Sequence, residues 1–309
     1  PGGTTAGAGE GAAFLLANPA GLLAFDEEAR LLGRIVDLAP QSAPSTPALH
    51  PSRESIAFAY IRQPDPRTGF GSDIFTVKLD GTGLRPLVEH EAENVFYASP
   101  RFDPSGNLLY FHRRAAVVQG GQYVGNEDTI ERLDLRTGER RRVVSDAADP
   151  DISPDGRALV YVRVVNGQIE GLWTASSDGT GARPFFRTRD TFWYLQAPRF
   201  SPSGREVVFS AAGHSQSGLP QGPASRARSG AKRAHLGIPS DLFLAPADGS
   251  SVRSIGQTGD DVVPAWSPDG GRIAYIGTGA FFALTVADGT VRVLAQGEDF
   301  FFGDLIWLR

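Results

Sequence analysis

The chain has 309 residues, of which 41% are hydrophobic and 21% charged, a composition typical of a globular protein. Its formal net charge of -5 gives no reason to expect a nucleic-acid-binding protein, and no apolar run reaches the length of a membrane-spanning helix. Cysteine is absent, which excludes disulfides and thiolate metal sites.

The N-terminal segment PGGTTAGAGEG has the composition of a flexible linker. The sequence contains no methionine, so we expect residues 1–9 to be a tail at a processed or truncated N-terminus. Such a tail commonly follows a removed signal peptide or a membrane or lipid anchor, and an expression boundary is the other explanation. The first explanation predicts a periplasmic or extracellular protein, either released by removal of a signal peptide or anchored through a missing N-terminal segment.

A repeat organises the rest of the chain and shows first in five short segments. They are TPALHPSR from Thr46, SPRFDPSG from Ser99, DPDISPDG from Asp149, APRFSPSG from Ala197 and VPAWSPDG from Val263. Each segment has two prolines, with a large apolar residue between them, and ends in a turn. The equivalent prolines Pro51, Pro104, Pro154, Pro202 and Pro268 are 53, 50, 48 and 66 residues apart, periods typical of β-propellers and other repeat folds.

Each of these segments leads into a short run of β-forming residues. The runs are IAFAYI from Ile56, LLYFH from Leu108, LVYVR from Leu159, VVFSA from Val207 and IAYIG from Ile273. A second apolar run follows, in most units with an Asp-Gly pair that is a strong hairpin signal, and then a last strand such as LRPLV from Leu84. Each unit therefore predicts a sheet of four antiparallel strands.

The two ends of the chain complete one further unit. FGDLIWLR places Trp307 where Trp266 stands in the preceding unit, and AFLLA near the N-terminus supplies the strand that should follow. We therefore predict an all-β, six-bladed β-propeller with four antiparallel strands per blade, closed by a blade shared between the N- and C-termini. The propeller should be a single domain over residues 10–309, with a long loop insertion at 211–240.

The segment WSPDGGRIAY from Trp266 resembles the repeat of the TolB-type propeller family, and weaker copies cover nearly the whole chain. The resemblance implies the propeller fold, and it implies a periplasmic or lipid-anchored protein of the kind this family includes. TolB itself also carries an N-terminal α/β domain, and no part of this sequence matches such a domain. The resemblance therefore does not imply membership of the Tol envelope system.

Three charged residues occupy one equivalent position beside the predicted central channel, namely Arg101, Asp151 and Arg199. One interpretation is a network of salt bridges between blades, because a buried charge needs a partner. The other is a channel that selects an anionic group through the two arginines, although Asp151 would neutralise one of them.

Aromatic residues collect in three of the predicted connections that enter the innermost strands, where the irregular loops also lie. They are Phe96 and Tyr97, then Phe192, Trp193 and Tyr194, and finally Phe300 and Phe301. These rings either pack against the blades or form a recognition surface for a peptide, a protein segment or a sugar ring.

The insertion 211–240 lies on the same face and carries a cluster of basic residues, Arg226, Arg228, Lys232 and Arg233. Loops of this length are usually functional or disordered. The loop is either a solvated segment or a contact for an anionic partner, an envelope polymer or a membrane surface.

The sequence carries no G-x-S-x-G elbow, phosphate-binding loop or dinucleotide fingerprint. We therefore predict a non-catalytic extracytoplasmic binding scaffold, a monomer without cofactor or bound metal, which recognises a protein, a peptide or an envelope polymer. The alternative is a metal- or carboxylate-dependent carbohydrate lyase or hydrolase at the channel mouth, because histidines and acids also fall on that face.

Overall fold

A computed structural model describes residues 7–186, 191–214 and 238–309 of the chain. Within these residues regular structure is almost entirely β-strand, with one turn of 3-10 helix at Glu298–Phe300. No helix in the described ranges is long and apolar enough to cross a membrane. Of the predicted tail, residues 1–6 lie outside the described residues, and Ala8 is buried against the apolar core.

The strands follow one another in short antiparallel hairpins. The first twelve are β1 (Phe14–Asn18), β2 (Gly21–Phe25), β3 (Leu31–Arg34), β4 (Ala43–Leu49), β5 (Ser55–Ile61), β6 (Gly71–Lys78), β7 (Arg85–Val88), β8 (Val95–Phe102), β9 (Leu108–Gln119), β10 (Gln122–Asp134), β11 (Arg140–Ser145) and β12 (Ala147–Ile152). The others are β13 (Ala158–Val165), β14 (Gln168–Ser176), β15 (Arg183–Pro184), β16 (Thr191–Phe200), β17 (Glu206–His214), β18 (Ser240–Pro246), β19 (Arg253–Asp260), β20 (Ala265–Trp266), β21 (Arg272–Gly277), β22 (Ala280–Thr285), β23 (Val291–Gln296) and β24 (Asp304–Trp307).

These strands form a β-propeller arrangement. Four sheets have four strands each: β24-β1-β2-β3, β12 to β15, β16 to β19, and β20 to β23. The strands β4 to β11 form one sheet of eight. We call β4–β7 the first run and β8–β11 the second run, and the later sheets the third (β12–β15), fourth (β16–β19) and fifth (β20–β23) runs.

The prediction of six blades is wrong, because the described part of the chain forms four separate four-stranded blades and one eight-stranded sheet. The first two runs are joined by parallel pairing of Gly71 with Val95 and of Ser72 with Phe96. A Cβ atom on Gly71 would lie 2.4 Å from the Val95 carbonyl oxygen, so this close approach depends on glycine. The Ser72 hydroxyl also bonds the backbone of Tyr97 at 2.8 Å.

The first and last strands of the chain lie side by side in one sheet. β1 pairs antiparallel with β24, which places Phe14 opposite Trp307 and Ala17 opposite Asp304. The rings of Phe14 and Trp307 are 4.7 Å apart, and the Leu308 amide donates a further hydrogen bond to Ala13. The structure thus pairs the two ends of the chain as the sequence predicts, and this sheet has no free edge at the seam.

The innermost strands carry a kink that positions the candidate site. In β4, β8, β12 and β16 the register with the neighbouring strand shifts at an internal proline, where a ladder donor is missing. The residue before each of these prolines has a left-handed backbone, with φ between 47° and 50° at Thr46, Ser99, Asp149 and Ala197. Side chains beyond the kink therefore line the channel instead of continuing the alternation of the strand.

Candidate functional site

A cavity of about 280 Å³ lies on the axis, between the innermost strands. Arg101, Asp151 and Arg199 all line it, together with the rings of Trp266 and Trp307. The lining residues come after the kinks in their strands, so the cavity lies in the half of the channel nearer the tight turns. The three charged residues are therefore brought together, but away from the face that carries the irregular loops.

Two ion pairs connect successive inner strands across this cavity. Arg101 Nε lies 3.3 Å from Asp151 Oδ1, and Arg199 Nη2 lies 3.4 Å from Asp149 Oδ1. The other oxygen of Asp151 accepts the backbone N–H of Phe200 at 2.7 Å. Both arginines also donate to the carbonyl of the proline before them. Both arginines therefore form salt bridges between sheets, as in the first interpretation of the sequence. Asp149, the partner of Arg199, was not among the predicted residues.

The charges in the cavity shift one another's pKa values. Burial, and then repulsion from Arg199, lowers the pKa of Arg101 to about 10, although Asp151 and Asp149 oppose this. Burial raises the pKa of Asp151 in spite of Arg101. Burial also opposes ionisation of Asp149, but Arg199, Arg101 and hydrogen bonds from Ala197 and Ser99 outweigh it, so its pKa is lowered. The two arginines and the two aspartates therefore form a network in which charges of opposite sign compensate one another.

A belt of hydrogen bonds connects neighbouring inner strands around part of the channel, at the left-handed residues and at Asp304. The Thr46 amide donates to Asp304 Oδ2 at 2.7 Å, and the Ser99 amide donates to Thr46 Oγ1 at 3.0 Å. The Ala197 amide donates to Asp149 Oδ2 at 2.5 Å. All five residues of the belt stand two positions before Arg101 or its equivalent in the repeat. This shared position is the sequence signal by which they could have been found. The belt gives Asp149 and Asp304 a structural role.

The predicted aromatic clusters lie at the start of inner strands β8 and β16 and in the segment before β24, not in loops alone. Strand alternation divides the clusters of β8 and β16 into buried and more exposed rings, whereas Phe300 and Phe301 lie in and directly after the 3-10 turn. Tyr97, Tyr194 and Phe300 are buried, and Phe192 packs against Phe243 at 4.7 Å. Trp193 is 62% exposed and Phe301 is 43% exposed.

Phe96 is half-buried and gains a partner that the sequence did not predict. The ring of Phe70, from the loop between β5 and β6, lies 5.4 Å from Phe96 in an edge-to-face arrangement and is 41% exposed. Phe70, Phe96, Trp193 and Phe301 all lie on the face where inner strands begin. We call these four rings the aromatic face.

The hydroxyl groups of the two buried tyrosines form hydrogen bonds within the protein. Tyr97 donates to Glu91 and accepts from Arg140, while Tyr194 donates to Gln196 Oε1 at 2.7 Å. Burial raises the pKa of both, assisted by Glu91 at Tyr97 and by Asp261 at Tyr194. Both hydroxyls therefore stay protonated and bonded within the protein.

Two histidines on the same side of the molecule are held by separate carboxylates. His90 Nδ1 lies 2.6 Å from Asp73 Oδ1, and His112 Nε2 lies 2.7 Å from Asp128 Oδ1. Across residues 7–186, 191–214 and 238–309, no three His, Cys, Asp or Glu side chains are arranged to hold a metal ion. The predicted basic cluster of Arg226, Arg228, Lys232 and Arg233 lies outside the described residues.

Asp73→Ala should lower the free energy of unfolding by about 3 kcal/mol, because it removes one partner of a buried charged network. Asp73 is 1% exposed and accepts from His90 at one oxygen and from Arg62 at the other. The measurement is urea unfolding of the purified protein. Asp37→Ala, at an exposed position, is the control and should change stability by less than about 0.5 kcal/mol. Equal effects of the two substitutions would contradict the assignment.

Comparison with solved structures shows that the fold is shared with TolB-like propellers. TolB from Acinetobacter baumannii superposes with a TM-score of 0.67 and 15% identity, over 96% of this chain and 66% of that chain. A chain of the nidogen/laminin complex gives 0.64 and 10% identity, over 95% and 97%. Oligogalacturonate lyase from Vibrio parahaemolyticus gives 0.59 and 10% identity, over 96% and 76%.

No protein-family model matches the chain, and no curated protein matches it in sequence. The class that the fold defines is therefore a TolB-like β-propeller. Identities of 10–15% show the fold alone, and a shared fold does not define an activity.

Proposed function

We propose that this protein is a non-catalytic binding scaffold that recognises a protein or peptide segment through the aromatic face. The observation that carries the proposal is the exposure of Trp193 between two anchored neighbours. Phe192 packs into the core, Tyr194 is buried, and Trp193 between them is 62% exposed. A large ring on an anchored strand loses little conformational entropy on binding, which suits a recognition residue.

The other three rings extend this surface around the channel mouth. Phe301 lies on the backbone of Gly279, where a Cβ atom would be 2.7 Å from its ring. Phe70 and Phe96 support each other edge to face. Exposed aromatic groups on three sectors of one face favour a partner that spans the mouth, such as an extended peptide or an envelope polymer.

We further propose that the protein acts as a monomer in the periplasm or outside the cell. The linker-like N-terminal composition supports this location. The TolB-like fold supports it only by analogy.

A carbohydrate lyase or hydrolase at the channel mouth is the second hypothesis. Histidines at such a site would need free ring nitrogens directed towards a shared metal or substrate. His90 is instead held between Asp73 and Thr68, at 2.6 and 2.9 Å. His112 is bonded to Asp128, which also accepts from Arg114. Both ring nitrogens of His90 are therefore engaged within the protein, which supports the binding scaffold over an enzyme that would use this histidine.

Trp193→Ala should abolish capture of the partner while leaving the melting temperature within about 2 °C of the parent, since an exposed ring contributes little to stability. The measurement is affinity capture from the envelope fraction of the source cells, with quantitative mass spectrometry. Val118→Ala, which alters an equally exposed residue on the β9–β10 hairpin, is the control. An unchanged set of captured proteins with the Trp193 variant would refute the proposal.

A further inference from the structure

Adjacent runs usually close against each other at a glycine in the turn before the outermost strand. A Cβ atom on Gly179 would lie 2.1 Å from the Val143 carbonyl oxygen of the second run. A Cβ atom on Gly249 would lie 1.8 Å from the Phe185 carbonyl oxygen of the third run. In both places the turn of one run presses on the outer segment of the run before it, and only glycine permits this contact.

The junction between the first and second runs lacks this closure. Gly138, in the corresponding turn, would bring a Cβ atom within 4 Å of nothing. Asp134 Oδ1 closes this turn by accepting the amides of Arg136 and Thr137 at 2.8 and 3.1 Å, as Asp178 does in the turn of Gly179. The turn of the second run therefore leaves a gap beside the outer strand β7 of the first run.

A second difference enlarges the same gap. Tyr110, paired with Arg101, fills the junction between the second and third runs, and its hydroxyl donates to the Ser177 carbonyl at 3.0 Å. Ala57, paired with Ala48, holds the same position in the first run. The result is a groove of about 400 Å³ between the first two runs, on the side of the tight turns. Ligand pockets commonly have volumes of about 300–1,000 Å³.

The groove combines apolar walls with a small number of polar groups. Its lining comprises Pro86, Leu87, Phe102, Leu133 and Leu135, with His50, Ser55, Thr76, Arg85, Asp134 and Gly138. His50 Nδ1 accepts the Ser52 amide at 3.1 Å, so its Nε2–H is the group that donates to the Gly106 carbonyl. The Thr76 hydroxyl donates to the Ile56 carbonyl. These groups, like Asp134, are already bonded within the protein.

Arg85 is the charged side chain of the groove lining that is available to bind a ligand. It is exposed, and no hydrogen bond or ion pair holds it within residues 7–186, 191–214 and 238–309. Two arginines at the same register in other runs face the turn of the next run. Arg253 donates to the Val286 carbonyl at 3.2 Å, and Arg141 is close enough to Asp178 to help lower the pKa of that carboxyl, after the larger effect of hydrogen bonds from Thr180.

We propose that this groove is a binding site for a small amphipathic carboxylate. The carboxylate takes the place of the missing acceptor and pairs with Arg85, since charge-assisted bonds to guanidinium are among the strongest that proteins make. The apolar body lies on Leu87, Phe102 and Leu133. The site is separate from the aromatic face and does not depend on the proposed function.

Isothermal titration with octanoate tests the site. We expect saturable binding of one octanoate per chain, at least tenfold weaker binding by Arg85→Gln, and no change for Arg183→Gln. Arg183 has the same register in the third run, which makes it a matched control. Octan-1-ol has the apolar chain without the carboxylate, and acetate has the carboxylate without the chain. Each should bind at least tenfold more weakly than octanoate.

Leu87→Glu places an internal carboxylate beside Arg85 and should block octanoate without loss of the folded state, which circular dichroism would verify. Trp193→Ala should leave octanoate binding unchanged, because it lies on the opposite face. Equal affinity of the parent and Arg85→Gln, or no saturable binding by the parent, would overturn the proposal.

Discussion

Trp307→Ala should lower the free energy of unfolding by about 3–5 kcal/mol, the range found when large buried aromatic side chains are removed. Trp307 is 9% exposed, lies 4.7 Å from the Phe14 ring, and has the Arg272 guanidinium 4.7 Å from its own ring centre. These contacts connect the last strand of the chain to the first strand and to the fifth run. Urea unfolding followed by circular dichroism measures the change.

Trp193→Ala is the matched control for this experiment, since it removes the same side chain from an exposed position. It should change the free energy of unfolding by less than about 0.5 kcal/mol. A loss below about 1 kcal/mol for Trp307→Ala would show that the pairing of chain ends adds little to stability. Closure of the propeller would then depend on the other sheets.

Arg101→Met should lower the free energy of unfolding by about 3–5 kcal/mol at pH 7, because it leaves the buried carboxylate of Asp151 without its arginine partner. Arg101 is bonded to Asp151 and also lowers the pKa of Asp149. Methionine keeps the length of the side chain, so the main change is the loss of charge. The measurement is the free energy of unfolding of parent and variant as a function of pH.

The pH dependence of that difference has a definite sign. Asp151 has a folded-state pKa raised above its reference value of 3.8, and Arg101 is the main group that opposes the rise. Without Arg101 the pKa rises further, so the charged form is penalised at neutral pH and the penalty fades as pH falls towards 3.8. The stability difference between parent and variant should therefore shrink between pH 7 and pH 4.

A second substitution separates loss of charge balance from loss of packing. Arg101→Met with Asp151→Leu replaces the pair by apolar groups and should recover much of the lost stability, since buried ion pairs are often replaceable in this way. A difference that does not depend on pH, with no recovery in the double variant, would contradict the electrostatic explanation.

The repeat predicts the strands well because each strand is specified locally. A proline, a large apolar residue and a turn pair mark most inner strands, and the two chain ends together carry one unit, with one strand from the C-terminus and three from the N-terminus. The eight-stranded sheet was not predictable in this way. It depends on parallel pairing at Gly71 between strands that are not consecutive, and an isolated glycine does not reveal which backbone will approach it.

The channel charges illustrate what the sequence shows about a site and what it does not. Arg101, Asp151 and Arg199 share one position in the repeat, so their meeting at the channel follows from the fold. The choice of Asp149 as the partner of Arg199 follows from the left-handed kink, which directs that side chain across to the next strand. The aromatic clusters could be located, but local backbone structure and not composition decides which of their rings meet solvent: strand alternation at β8 and β16, and the 3-10 turn at Phe300.

The parallel seam between β6 and β8 makes one sector of the ring stiffer than the others. Backbone hydrogen bonds cross this boundary, whereas between separate sheets mainly side-chain contacts and single bonds of the belt connect neighbours. Slow amide exchange should therefore extend across the first two runs as one cooperative block. We expect transient opening of the ring to occur at the remaining boundaries between sheets, among them the two that flank the sheet carrying Trp193.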